Sequence, residues 1–298
     1  MRAPLPQRSA QHASAGFTLV EAVVTIVLLG LLAGIAAVFI VRPMQGYVDL
    51  SRRAALVEAA ESALRRMARD ARLALPNSVR RQNLASGFAL EMIPTLDGAK
   101  YNIRGTDNER LRFNGDTDFD LLGCFRNPAT KTTPGIRLAI NNRGVAPEEV
   151  YADAQRTAGQ ESLITPASGL TISITSTTCP ASGWDHIALS SAHDFRGESP
   201  NQRLFVVTTA VSYVCDTSAG MLTRYAAYPI PQTQPVTAVD FAALSATSAV
   251  VVDRVKECSV TTTTDEVRNR GLVTLTLTLE SEGERIRLIH QAALDNSR

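Results

Sequence analysis

From Ala22 to Val41 the hydrophobic pattern never alternates: every position is apolar or small. At about 1.5 Å rise per residue, such a run of about 20 residues matches a hydrocarbon core about 30 Å thick. The pattern predicts a transmembrane helix over 17–41. Beyond it the pattern becomes amphipathic. Leu50, Ala54, Val57, Leu64, Met67, Ala71 and Leu75 recur near helical spacing, and Asp49, Arg52, Arg53, Glu58, Glu61, Arg65, Arg66, Arg69, Asp70 and Arg72 fill the opposite face. This predicts a second helical stretch over 44–75, softened at Pro43 and Gly46 and ended by Pro76 and Asn77. Asp49 with Arg53, Glu61 with Arg65 and Arg66 with Asp70 are spaced for i, i+4 ion pairs.

From about Ser78 the period changes from helical to two, in short runs separated by Gly, Pro, Asn and Asp clusters. Phe88–Ile93, Leu111–Phe113, Ile136–Ile140, Leu170–Ser176 and Arg203–Cys215 are the expected strands. Val273, Leu275, Leu277 and Leu279 alternate with Thr274, Thr276 and Thr278, then Ser281-Glu282-Gly283, then 285–292, which predicts a terminal hairpin. The 229–247 segment, with its Pro-Gln-Thr-Gln-Pro, is the expected loop. The fold class is therefore α+β: a long N-terminal helix packed on an antiparallel β-rich domain. The expected divisions are a leader 1–16, a helix 17–76 and a globular domain 77–298, long enough for one sizeable core.

Charge removes one class of partner. The 30 Lys and Arg face 29 Asp and Glu, and loss of Arg2 and Arg8 with the leader leaves 28 against 29. Acids interleave the arginine-rich 51–72 stretch, so it reads as a solvated, salt-bridged helix face, and no nucleic-acid partner is expected.

The leader is polar, and the apolar run follows the expected cut instead of preceding an Ala-x-Ala site. Gly16, Phe17, Thr18, Leu19, Val20 and Glu21 resemble the cleavage and methylation motif of type IV prepilins. That resemblance implies that Gly16 is the last leader residue, cut by a membrane prepilin peptidase. It implies that Phe17 becomes the N-methylated N-terminus and that Glu21 is an assembly residue. A carboxylate in a bilayer segment costs about 2.5–3.5 kcal/mol on insertion scales, which independently points to a partner for Glu21. The 51–80, 211–216 and 288–297 segments are similar to a narrower group, the MshO-like minor prepilins of the mannose-sensitive haemagglutinin (MSHA) pilus. The resemblance implies a minor pilin acting in pilus initiation or assembly, and pseudopilins of type II secretion share the same motif. It implies contacts with other minor and major pilins, the inner-membrane assembly platform and membrane lipid. The implied location is the inner membrane, single-pass, with a cytoplasmic N-terminus and a periplasmic domain, and later the pilus. Arg42, Arg52 and Arg53 beyond the span obey the positive-inside rule only in part.

Cys124, Cys179, Cys215 and Cys258 all lie beyond the span, in what is then an oxidising compartment, and two disulfides are expected. Cys215 with Cys258 is the preferred pair, because each closes a strand-like run expected in one sheet, leaving Cys124 with Cys179. No C-x-x-C spacing favours zinc. Asp116, Asp118 and Asp120 alternate like a calcium loop, but Leu121 and Leu122 follow where such a loop needs Gly, so a solvated hairpin tip is expected. His186, His193 and His290, with Asp185, Asp194, Ser190 and Ser191 nearby, form no recognisable triad, and no G-x-S-x-G elbow occurs. No catalytic residue, metal or cofactor is expected. A tip adhesin or an anchored hydrolase would be the functional rivals.

Overall fold

The computed structural model describes residues 16–177, 179, 183–265 and 270–295. The expected leader thus lies outside the described residues, apart from Gly16. The chain divides into two compact units, Met1–Arg52 and Arg53–Arg298.

In the first unit, α1 (Leu19–Ala36) has no buried residue. A π-helical turn, Ala37–Val41, follows it, and α2 (Arg42–Arg72) begins there. The π turn sits just ahead of Pro43, whose ring nitrogen has no hydrogen for the Phe39 carbonyl. The predicted soft point is thus taken up as a wider turn, and the helix continues. Asp49 pairs with Arg52 at 3.4 Å, one position earlier than the i, i+4 spacing predicted.

The second unit starts with the remainder of α2. The buried stripe is Leu56, Ala60, Ala63, Leu64, Met67, Ala68 and Ala71, followed by Leu75. Leu50 and Ala54, expected on it, are exposed, because burial begins only at Leu56. The helix ends at Arg72, before the predicted 75. Glu61 pairs with Arg65 as its spacing predicts, but Arg53 pairs with Glu284 at 3.2 Å. Asp70 is not on the solvated face: its Oδ2 accepts from the Tyr213 hydroxyl (2.7 Å) and from Arg224 Nε (2.9 Å), tying the helix to the sheet.

The strands are β1 (Arg80–Leu84), β2 (Gly87–Met92), β3 (Thr95–Lys100), β4 (Asp116–Asp120), β5 (Arg137–Ile140), β6 (Ile172–Thr177), β7 (Trp184–His193), β8 (Arg203–Val207), β9 (Ala210–Asp216), β10 (Met221–Tyr228), β11 (Thr247–Val252), β12 (Val255–Asp265), β13 (Arg270–Ser281) and β14 (Glu284–Asp295). They form a five-stranded sheet, β1-β2-β9-β10-β11, and three three-stranded sheets, β12-β13-β14, β3-β8-β5 and β4-β7-β6. Every strand pair is antiparallel.

One core lies between α2, the five-stranded sheet and the terminal sheet. Leu64, Met67 and Ala71 meet Leu90, Tyr213 and Leu222 there, along with Leu275 and Leu277. The alternation of Val273 to Leu279 turns those four side chains inward, as a period of two requires. Ser281 opposes Glu284, and Glu282 and Gly283 both have positive φ (49° and 85°), the geometry of a two-residue type I′ hairpin.

The largest feature not visible in the sequence is an insertion. β2 and β9 are neighbours, with Met92 opposite Val211, yet the chain between them builds two further sheets with their own core around Tyr101, Phe119, Leu138, Ile187 and Phe195. A seam of Leu75, Ile93, Tyr151, Val207, Tyr228 and Phe241 joins this lobe to the rest of the unit.

Several expected elements change. Arg203–Cys215 is two strands in different sheets, β8 and β9. Leu111–Phe113 forms no strand; the Arg112 N–H donates to Asp116 Oδ2 at 2.8 Å, a local bond that competes with a ladder. The 229–247 segment is not all loop: it contains α4 (Ala238–Ala243), after α3 (Val150–Asp153) in the lobe. A capping box between Thr237 and Asp240 starts α4, and Phe241 stacks on Tyr225 at 3.8 Å. Arg80 fastens the segment further, donating to the carbonyls of Pro231 and Gln232 while pairing with buried Glu91. Burial raises the Glu91 carboxyl above its ordinary range, against the pull of Arg80.

Candidate functional site

Gly16, Phe17 and Thr18 precede the helix and are exposed. Thr18 is extended (φ −79°, ψ 149°) and caps α1, its side chain accepting from the Glu21 N–H at 3.2 Å. The Thr18 carbonyl accepts from the Ala22 N–H at 3.1 Å, so the first helical turn closes immediately after the junction. The Gly16–Phe17 peptide is therefore non-helical and open, the form a protease subsite needs. Among the described residues nothing lies within 4 Å of the position a side chain on Gly16 would occupy. Glu21 sits in the first turn, where the unpaired N–H groups and helix dipole favour a negative charge. It is exposed, and no cation is paired with it among the described residues.

The helix that follows is apolar on all sides, with Leu28, Leu32 and Ile35 as exposed as Val24 and Leu31. A surface helix of a soluble domain has one polar face; this one has none. It is long and apolar enough to cross a membrane.

The other candidates fall elsewhere. Cys215 in β9 is bonded to Cys258 in β12, and Cys124 to Cys179. The first bond does not lie within one sheet, as its expected rationale required; it bridges the five-stranded and terminal sheets. Gly87 of β2, opposite Asp216 of β9, leaves room for it, since a Cβ there would meet the Cys215 carbonyl and lie 3.2 Å from Cys258 Sγ. Asp185 lies close to Cys124 and Cys179 in a grouping that could suit a metal, but both sulfurs are consumed in the disulfide. Its carboxylate already accepts from Lys131 Nζ (2.8 Å), Ser176 Oγ (2.7 Å) and the Phe125 N–H (2.8 Å). Those hydrogen bonds outweigh its burial and hold its carboxyl below the usual range.

Asp116, Asp118 and Asp120 are not a hairpin tip: they form β4. Asp116 is fully buried and pairs with Arg112 (2.9 Å), and Asp120 accepts from His186 Nδ1 (2.7 Å). A register shift between Asp116 and Asp118 turns the first inward; Asp118 and Asp120 share the other face, where Asp118 is part-exposed and Asp120 is buried against His186. His193 is buried with neither ring nitrogen hydrogen-bonded, and Ser191 Oγ is likewise unpartnered. Burial, aided by the Arg137 charge, lowers the His193 imidazole to about 4. Ser190 Oγ accepts from the Thr171 N–H, and His290 lies on β14 opposite Leu275. Among the described residues these serines and histidines make no nucleophile–base hydrogen bond.

A family model described as the prokaryotic N-terminal methylation motif matches residues 11–37. No curated protein and no solved structure matches the chain. The matched stretch includes the Gly16–Phe17 junction, Glu21 and the whole of α1. An open junction, a capped first turn and an all-apolar helix thus coincide with that motif, and together they support a type IV pilin- or pseudopilin-like protein, membrane-anchored and processed at its N-terminus.

Proposed function

We propose that this chain is a minor type IV pilin, of the MshO-like kind, that is cut after Gly16, methylated on Phe17 and inserted into a pilus during its initiation or assembly. The observation that carries the reading is the open Gly16–Phe17 peptide set directly before a helix with no polar face. Cutting there leaves the helix attached, so the subunit remains in the membrane until it is extracted. Its apolar surface then exchanges lipid for the helices of neighbouring subunits. The role is structural and not catalytic.

Glu21 supplies register. In a low-dielectric bundle of helices its carboxylate is stabilised by the cationic amine of Phe17 on the next subunit, a pairing that a shifted subunit would forfeit. The similarity to MshO-like minor pilins supports the finer assignment, and it falls on α2, β9 and β14, elements that line the helix–sheet core. The partners are a prepilin peptidase, other pilins and the inner-membrane assembly platform, with the globular unit periplasmic.

Mass spectrometry of the native product tests the processing step, with an N-methylated Phe17 as the expected N-terminus. A retained leader, or loss of leader and helix together, would overturn it. Glu21→Leu is expected to leave the protein in the membrane and absent from pili; normal incorporation of that variant would remove the register role.

A further inference from the structure

The loop ahead of β4 carries the chain's one Asn-Gly pair, Asn114 and Gly115. Asp116 pins this loop from inside. Its Oδ2 accepts from the Arg112 N–H at 2.8 Å and its Oδ1 from the Thr117 N–H at 2.9 Å, so one buried carboxylate closes both ends. Phe113 adds an anchor by packing edge-on against buried Tyr101, 5.7 Å between centroids. The tip between these points is free. Asn114 is exposed, and among the described residues neither its side-chain amide nor the Gly115 N–H makes a hydrogen bond. Gly115 has a φ of 91°, and the nearest atom to a Cβ built there would be Ala192 Cβ at 3.9 Å.

This arrangement leaves a nucleophile and an electrophile on adjacent residues with nothing holding either. The Gly115 nitrogen, once it loses its proton, can close a five-membered ring on the Asn114 side-chain carbonyl carbon. No side chain on Gly115 obstructs that approach, and no hydrogen bond has to break first. Other asparagines are held. Asn77 donates to the Asn142 carbonyl at 2.9 Å, and the N–H that follows it, on Ser78, is bonded to the Leu75 carbonyl at 2.9 Å. Asn142 accepts from the Val150 N–H (3.0 Å) and donates to the Pro76 carbonyl (2.8 Å). Asn127 precedes Pro128 and so has no neighbouring N–H to deprotonate.

We propose that Asn114 is a self-modifying site, converted by water alone to isoaspartate and aspartate. The Gly115 nitrogen forms a bond to Asn114 Cγ, and the side-chain nitrogen leaves as ammonia, carrying the proton that Gly115 gave up. Water then opens the cyclic imide. Attack at the main-chain carbonyl leaves isoaspartate, and attack at the side-chain carbonyl leaves aspartate; no electron is transferred in either case. Each product sets a new carboxylate two residues from both Arg112 and Asp116. Isoaspartate also adds one carbon to a main chain that Asp116 holds at both ends. The surface of the inserted lobe thus changes with the age of the chain, whatever the chain's role in a fibre.

The full chain in phosphatidylcholine nanodiscs is incubated at mildly alkaline pH beside a synthetic peptide of residues 110–118, and both are followed by peptide mass spectrometry. Acid at position 114 is expected to accumulate at least about tenfold faster than at any other asparagine of the described residues, and within about tenfold of the free peptide's rate. The rate should climb with pH, and the product should accept methyl groups from an isoaspartyl methyltransferase. Asn114→Gln, which would need a six-membered ring at the same exposed position, should slow conversion by about tenfold or more. The proposal is overturned if the chain lags the peptide by more than that margin, because the fold would then shield the pair. Equal conversion at another described asparagine, or an unchanged rate in the Gln variant, would overturn it as well.

Discussion

His193 shows how one side chain can set the acid limit of a lobe. Its ring packs edge-on against Phe195, 4.5 Å between centroids, and both nitrogens are unpartnered, so the folded state holds it neutral. With the folded value near 4 and the ordinary value 6.5, the unfolded chain binds a proton between those limits and the folded chain does not. Stability is therefore full above pH 6.5 and falls as pH drops toward 4, by about 3 kcal/mol in all. His193→Leu should flatten that fall and leave stability at pH 7 nearly unchanged, since no hydrogen bond is lost. Urea titrations at pH 7 and 4.5 followed by Trp184 emission, on the same strand, would show it; an equal acid loss in both proteins would refute the assignment. Asp70 makes the opposite case. Burial and the Asp70 carboxylate both push the Tyr213 phenol up, so it stays a donor, and Asp70→Ala leaves that hydroxyl and Arg224 without their shared acceptor. A loss of about 2–4 kcal/mol is expected in denaturant titrations, and a loss under 1 kcal/mol would show that the pair contributes little. Neither role was legible in the sequence. His193 and Asp70 read there as ordinary polar residues, because whether a polar side chain is buried depends on elements far away in the chain.

At the scale of elements, the sequence showed what is local and concealed what is not. The period-two run of Val273 to Leu279 and the positive-φ demand at Glu282-Gly283 are carried by adjacent residues, and both appear in the terminal hairpin. The capping box that starts α4 was also legible, as Thr-Ala-Val-Asp at 237–240, but the prolines around it drew the segment toward loop. The split of Arg203–Cys215 was not legible, because no Gly, Pro, Asn or Asp interrupts the run and only the partners of β8 and β9 differ. The Cys215–Cys258 bond joins two such independently formed sheets across a sequence separation of 43. Closing a loop of that length in the unfolded chain corresponds to about 4 kcal/mol. Replacing both cysteines by alanine should lower stability by an amount of that order and free β12 before β2 or β9. Hydrogen exchange would reveal this as selective loss of protection in 255–265, whereas uniform loss across both sheets would mean that the bond is not what couples them.

For the whole molecule, the decisive fact is that the lobe enters and leaves through adjacent strands. Met92 and Val211 already oppose one another in the ladder between β2 and β9, so the sheet does not need the intervening chain for its register. Replacing 93–210 by Asn-Gly would join these two residues through a two-residue type I′ turn, the connection antiparallel strands favour. What the sheet would lose is the seam: Tyr228, Phe241 and Leu75 would give up Ile93, Tyr151 and Val207 and face water. The α2 side would be untouched, since Leu64, Met67, Tyr213 and Leu275 belong to the other core. The shortened chain should therefore fold, form the Cys215–Cys258 bond and resist trypsin over α2 and the terminal hairpin, at a stability several kcal/mol below the parent. It should still be processed at Gly16, because the junction and α1 lie in the other unit. A chain that is processed but cannot fold would make the lobe part of the scaffold. A chain that folds, is processed and enters the fibre would place membrane extraction in the helix and assembly in the helix–sheet scaffold, with the insertion dispensable for both.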